Sequence, residues 1–141
     1  MEDMTYDSPT FISLEDIEVC ANKIGFRPVI YSHEGEQYLL INFICDFEGD
    51  SIEDYWRFYK YPEAVAPSDQ IHIDRYAKFK PISSFGIQYR PFSISCVLPL
   101  LETLLTKYGG WVETMYGDEM YNLDNLDELR SIANKNRDER R

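Results

Sequence analysis

A single α+β domain, with a mostly antiparallel sheet and helices on one face, is predicted by three features of this sequence. Two segments carry apolar residues at helical spacing between clear start and stop signals. Several short runs alternate apolar and polar residues around turn-forming glycines. The two kinds of segment interleave along the chain instead of occupying separate halves. The 141 residues fit one domain of ordinary size, 1–141, and can bury a core without metal or disulfide staples.

Residues 1–9 are polar and end in Ser8-Pro9, which predicts a flexible lead-in; Thr10-Phe11-Ile12 suits a short strand. Ser13 is placed to cap a helix with Asp16 three residues on, and Leu14, Ile17, Ala21 and Ile24 follow at helical spacing up to a stop at Gly25. The runs 28–33 and 37–46 flank Glu34-Gly35-Glu36 and predict a β-hairpin. Both faces of the second run are apolar, as expected of a central strand covered on each side. After Glu48-Gly49-Asp50, Ser51 is a candidate cap for a short helix with Ile52, Tyr55, Trp56 and Tyr59 on one face.

Strands are expected over 70–74 and 85–89. Ser93 or Ser95 then opens the clearest helix, with Val97, Leu98, Leu101, Leu104, Leu105 and Tyr108 in a stripe, Pro99 near its first turn and Gly109-Gly110 as its stop. A strand from Trp111, a terminal helix carrying Leu123, Leu126, Leu129 and Ile132, and a frayed tail over 134–141 complete the reading. This order fits a split βαβ, ferredoxin-like plait with residues 49–84 as an insertion.

The net charge is −11, and residues 1–60 alone contribute −9. Such a field repels phosphate backbones and anionic lipid, which argues against nucleic-acid and membrane partners, and it attracts basic proteins. No stretch approaches the roughly 20 apolar residues of a membrane span, and the acidic start Met1-Glu2-Asp3-Met4 lacks the pattern of a signal peptide. Cys20, Cys45 and Cys96 lie far apart in apolar contexts and read as three buried thiols. Together these features predict a cytoplasmic protein in a reducing compartment.

The acids Asp46, Glu48, Asp50, Glu53 and Asp54 are the densest in the chain. They do not make a calcium loop: Gly49 occupies its fourth position and Arg57 its twelfth. They read either as a solvated turn or as a docking surface for cations. Tyr55-Trp56-Arg57-Phe58-Tyr59-Lys60-Tyr61 holds five aromatic residues in seven. Such a run suits either a core helix or a binding hot spot. His72 and Asp74 fall on one face of the expected strand, and two ligands are too few for zinc. The bases Arg75, Lys78, Lys80 and Arg90 stand out against the acidic background and suit pairing with the acidic half or with a second copy. No nucleophile elbow, phosphate loop, dinucleotide fingerprint or cofactor motif occurs.

The stretch from Leu100 to Val112, a leucine-rich helix ending in Tyr108-Gly109-Gly110-Trp111 before an apolar strand, resembles the endings of small bacterial immunity proteins of polymorphic and contact-dependent toxin systems. It covers about a tenth of the chain and transfers no functional residue. The resemblance implies a small acidic protein that neutralises a basic, nuclease-like toxin domain by binding it.

The sequence is therefore read as a non-enzymatic, protein-binding module without a cofactor. Asp46, Glu48, Asp50, Glu53 and Asp54 would steer a basic partner, and Tyr55, Trp56, Tyr59 and Tyr61 would anchor it. Two alternatives stay open: a small enzyme or ligand-binding domain using His72, Asp74 and the acids at 46–54, and a homo-oligomeric structural protein.

Overall fold

Two Glu-Gly dipeptides organise the middle of the chain. In the computed structural model, which describes residues 2–62, 74, 80–114, 120–129 and 131, Glu34 and Gly35 take φ of 50° and 85°, and Glu48 and Gly49 take 53° and 85°. Positive φ at both central residues marks the tight hairpin turn whose twist matches that of paired strands. The first turn joins β2 (Arg27–His33) to β3 (Glu36–Phe47), and the second joins β3 to β4 (Asp50–Lys60).

The second hairpin replaces the short helix expected from Ser51 onward. Ile52, Tyr55, Trp56 and Tyr59 do have helical spacing, but the same segment also alternates: Asp54, Trp56 and Phe58 are buried while the residues between them are more open. The Glu48-Gly49 turn lays this alternation beside β3, and aromatic side chains suit a pleated, half-buried surface.

The expected flexible lead-in is also a strand. β1 (Glu2–Ser8) lies inside the sheet, antiparallel to β5 (Ser83–Tyr89) on one side and β6 (Trp111–Thr114) on the other. Its polar residues conceal the alternation of Met4, Tyr6 and Ser8, all buried. Residues 10–12 form no strand; Ile12 is buried with its N–H donating to Ser83 Oγ at 2.9 Å, and Phe11 faces solvent.

The seven strands, with β7 at Met120–Tyr121, run β2-β3-β4-β5-β1-β6-β7, and every neighbouring pair is antiparallel. β1 and β2 therefore point the same way, joined through α1 (Leu14–Lys23), with β3, β4 and β5 between them. β5 and β6 likewise flank β1 and are joined through α2 (Ile94–Tyr108). These are two split βαβ units, the first widened. The region expected to be an insertion supplies β4, an interior strand. Pro28 falls on edge strand β2, the place in a sheet where a missing N–H is tolerated.

Both long helices feed one core. Leu14, Ile17, Cys20 and Ala21 of α1 join Val97, Leu101 and Leu104 of α2 over Leu39, Ile41, Trp56, Phe58, Ile87 and Met4 of the sheet. The expected capping box closes on α1: Ser13 Oγ accepts from Asp16 N–H at 3.1 Å, and Asp16 Oδ2 accepts from Ser13 N–H at 2.9 Å. Pro99 lies in the second turn of α2 rather than the first, so the carbonyl four residues back has no helical donor. Gly109, at φ 70°, ends α2, and Gly110 lets the chain pass so close to the Asp7 carbonyl that any Cβ would collide with it. Leu126 and Leu129 of a short terminal helical stretch are buried, whereas Leu123 is exposed. Residues 134–141 lie outside the described residues.

The cysteines depart from the three-thiol expectation. Cys45 on β3 and Cys96 on α2 form a disulfide, with Cα atoms 5.9 Å apart and a sequence separation of 51; Cys20 alone is a free, buried thiol. Odd-numbered residues of β3 face α2, a juxtaposition that sequence spacing does not reveal. The cysteine argument for a reducing compartment falls with this finding, because disulfides persist in oxidising surroundings. Among the described residues, no helix is long and apolar enough to cross a membrane.

Candidate interaction face

Strand alternation divides the acidic and aromatic segment 46–61 between two faces. Asp54, Trp56 and Phe58 point to the helix side and are buried. Glu53, Tyr55, Arg57 and Tyr59 point the other way, in register with Ile44, Asn42, Leu40 and the position of Tyr38 on β3.

Two of the expected partner-binding residues are therefore not available to a partner. Trp56 is fully buried, and its indole N–H donates to Ser93 Oγ at 2.6 Å. The Asp54 side chain is 1% exposed and lies 3.8 Å from Arg90 Nε. Its Oδ1 accepts the Tyr55 backbone N–H at 2.8 Å, and its Oδ2 has no hydrogen-bond partner among the described residues. Arg90 thus pairs within the chain, one of the two roles open to the basic patch; Lys80 is exposed, and Arg75 and Lys78 lie outside the described residues.

The remaining acids are exposed at the far end of the β3–β4 hairpin. Asp46 accepts from Ser51 Oγ at 3.0 Å, Glu48 and Asp50 flank the turn glycine, and Glu53 sits 3.9 Å from Arg27 across the sheet. That last pair is well exposed, at 64% and 82%, and so contributes little to stability.

Further along the same face lies a group of tyrosines that sequence reading gathered only in part. Tyr31 of β2 stacks on Tyr38 of β3 at 5.4 Å between centroids, and Tyr38 meets Tyr59 of β4 at 5.9 Å. The Arg57 guanidinium lies 5.0 Å from the Tyr38 ring, 5.8 Å from Tyr55 and 6.0 Å from Tyr59. Its Nη1 donates to Tyr59 Oη at 3.1 Å, and this bond holds the guanidinium pKa above its ordinary value. Val29, Tyr31 and Ile44 are exposed around the group, and Tyr38, Leu40, Tyr55, Arg57 and Tyr59 are half-buried. Tyr61 continues the row and is exposed.

Tyr31, Tyr38 and Arg57 were not among the expected site residues. A two-residue turn at Glu34-Gly35 pairs Tyr31 with Tyr38, so the hairpin spacing held the signal for two of them. Arg57 needed the strand assignment of β4, which a helical reading hid. Where this face continues onto β1, β5 and β6, Asp7, Ser84 and Trp111 are buried, and Ser84 Oγ donates to Asp7, whereas Asp3 is exposed.

The other candidate groups do not converge here. His33 is exposed beside Glu34 at 3.9 Å, His72 lies outside the described residues, and Asp74 is helical and exposed. Among the described residues, no group of three or more His, Cys, Asp or Glu is placed to hold a metal ion. Comparison with protein-family models, with curated proteins and with solved structures returns no match to this chain.

Proposed function

We propose that this chain is a protein-binding module that docks a cationic partner domain onto the open face of β2, β3 and β4. The observation that carries this reading is the joint display, on one sheet face and its hairpin end, of exposed carboxylates and a tyrosine-rich patch. Asp46, Glu48, Asp50 and Glu53 steer and orient the partner. Tyr31, Tyr38, Tyr55, Tyr59 and Tyr61 supply broad contact area with few rotors to freeze. Trp56 and Asp54 act only by holding β4 in place. The sharpest form of the proposal is an immunity protein that neutralises a basic toxin domain, the role implied by the resemblance of residues 100–112. In the fold that segment is the C-terminal part of α2, its glycine stop and β6, a strand of the sheet.

The test starts from capture in native extract at low and high salt, followed by stopped-flow association with the purified partner. Reversing Glu48, Asp50 and Glu53 to Lys together is expected to slow association at low salt by about tenfold or more and to flatten its salt dependence. Melting should stay unchanged, because all three side chains are exposed. Association that ignores the triple reversal would overturn the steering role.

A further inference from the structure

We infer that Arg57 and the tyrosines around it form a receptor for a carboxylate carried by the partner protein, a positive centre in a docking face whose hairpin end is acidic. The inference rests on the reading above and names the chemistry of one of its contacts. Its starting point is an imbalance in hydrogen bonding. A guanidinium carries five N–H donors, and Arg57 commits Nη1 to Tyr59 Oη. Its Nε is shielded from solvent yet has no hydrogen-bond partner among the described residues. A buried donor without an acceptor is unfavourable, and an incoming acceptor relieves it.

The chemistry of the acceptor follows from shape and charge. With Nη1 engaged by Tyr59, the Nε and Nη2 edge remains, and this edge matches the two oxygens of a carboxylate. The guanidinium is already held against the rings of Tyr38, Tyr55 and Tyr59, so little side-chain freedom is left to lose on binding.

The surroundings select against a free anion. Glu53 lies on the same face, four residues up β4, or about 13 Å along the strand; Arg27 offsets it in part at 3.9 Å, and Asp46, Glu48 and Asp50 beyond it keep that end negative. A small anion or a row of phosphates meets that field and is repelled. A protein segment whose acid is flanked by basic side chains is complementary to both parts of the face: acid on Arg57, bases on the hairpin carboxylates.

The experiment titrates the 141-residue chain with a blocked nine-residue peptide, a central glutamate with a lysine four positions away on each side, and with its glutamine counterpart. Binding is read from the Arg57 Nε–H resonance and from calorimetry. The glutamate peptide is expected to bind at least about tenfold tighter than the glutamine peptide and to move the Arg57 resonance. The preference should vanish in Arg57→Gln and shrink in Arg57→Lys, which keeps the charge and loses the fork, with melting curves confirming that both variants fold. Equal affinity for the two peptides, no binding of either, or a glutamate preference that survives Arg57→Gln would overturn the receptor. The two proposals fail separately. Equal but salt-sensitive binding sinks the carboxylate site and leaves acidic docking standing. A glutamate preference unaffected by reversing Glu48, Asp50 and Glu53 does the opposite.

Discussion

The indole N–H of Trp56 donates to Ser93 Oγ at 2.6 Å, and Ser93 Oγ donates in turn to the Arg90 carbonyl at 2.6 Å. This relay ties β4 to the turn that opens α2, and all of Trp56 is buried beneath it. Ser93→Ala leaves the indole donor without an acceptor and is expected to destabilise the fold by about 1–3 kcal/mol. Urea denaturation measures it. A loss under roughly 0.5 kcal/mol, the range of an ordinary surface change, would show that the relay is dispensable.

The Cys45–Cys96 disulfide spans 51 positions and joins the sheet to α2. Closing a loop of that length restricts the unfolded chain, and opening it is expected to cost on the order of 4 kcal/mol. Cys45→Ala with Cys96→Ala should therefore lower the denaturation midpoint markedly, and reduction of the wild type should match it. Thiol titration in denaturant gives the direct check: one reactive group before reduction and three after, since Cys20 alone is free. Three groups in the unreduced native preparation would mean that the bond does not form.

Gly110 sits at φ 97° against the Asp7 carbonyl, where a Cβ would collide with backbone. Gly109, at φ 70°, has open space around it. Gly110→Ala must push β6 off β1 and is expected to lose about 3 kcal/mol or more, near the upper end of single substitutions. Gly109→Ala meets only the dihedral penalty, about 1–3 kcal/mol. Thermal melts of the pair decide it, and an equal loss in both would contradict the close approach.

Alkaline pH should weaken the fold through Tyr6 and Tyr89. Both are fully buried, and burial pushes both phenols above their ordinary value of 10.0. The unfolded chain releases these protons near that ordinary value while the fold retains them. Their contribution is therefore complete below about pH 10 and falls as pH rises further, by about 1.4 kcal/mol per pH unit for each tyrosine. Tyr6→Phe also gives up the 2.8 Å hydrogen bond from Tyr6 Oη to the Gly109 carbonyl. Tyr89→Phe is the cleaner probe, because Tyr89 Oη has no hydrogen-bond partner among the described residues. It should leave stability at neutral pH nearly unchanged and flatten the alkaline slope. Urea midpoints over roughly pH 8 to 11 test this, and an unaltered slope would refute it.

Much of the fold was legible in residues that act locally. Ser13 and Asp16 announced the capping box, Glu34-Gly35 the first hairpin, and the leucine stripe with Gly109-Gly110 the second helix and its stop. Strands β1 and β4 were not. In β1 the inward residues Met4, Tyr6 and Ser8 include a serine and stand among Asp3, Thr5 and Asp7, so no clear apolar alternation shows. In β4 the aromatic residues are dense enough to satisfy both helical and strand periods, and only pairing with β3 and β5 chooses between them.

The same choice governs the candidate site. The sequence by itself determined its materials: carboxylates at 46–54, aromatic rings at 55–61, and a net charge of −11. Tertiary structure alone decided which of them face water. Strand geometry sends successive side chains to opposite faces, so Trp56 and Asp54 went under the helices while Tyr55, Arg57 and Tyr59 came out beside Tyr31 and Tyr38. Likewise only the packing of α2 on β3 could bring Cys45 to Cys96. Periodicity along one segment carries no record of which neighbour will lie across from it, and these contacts belong to the neighbours.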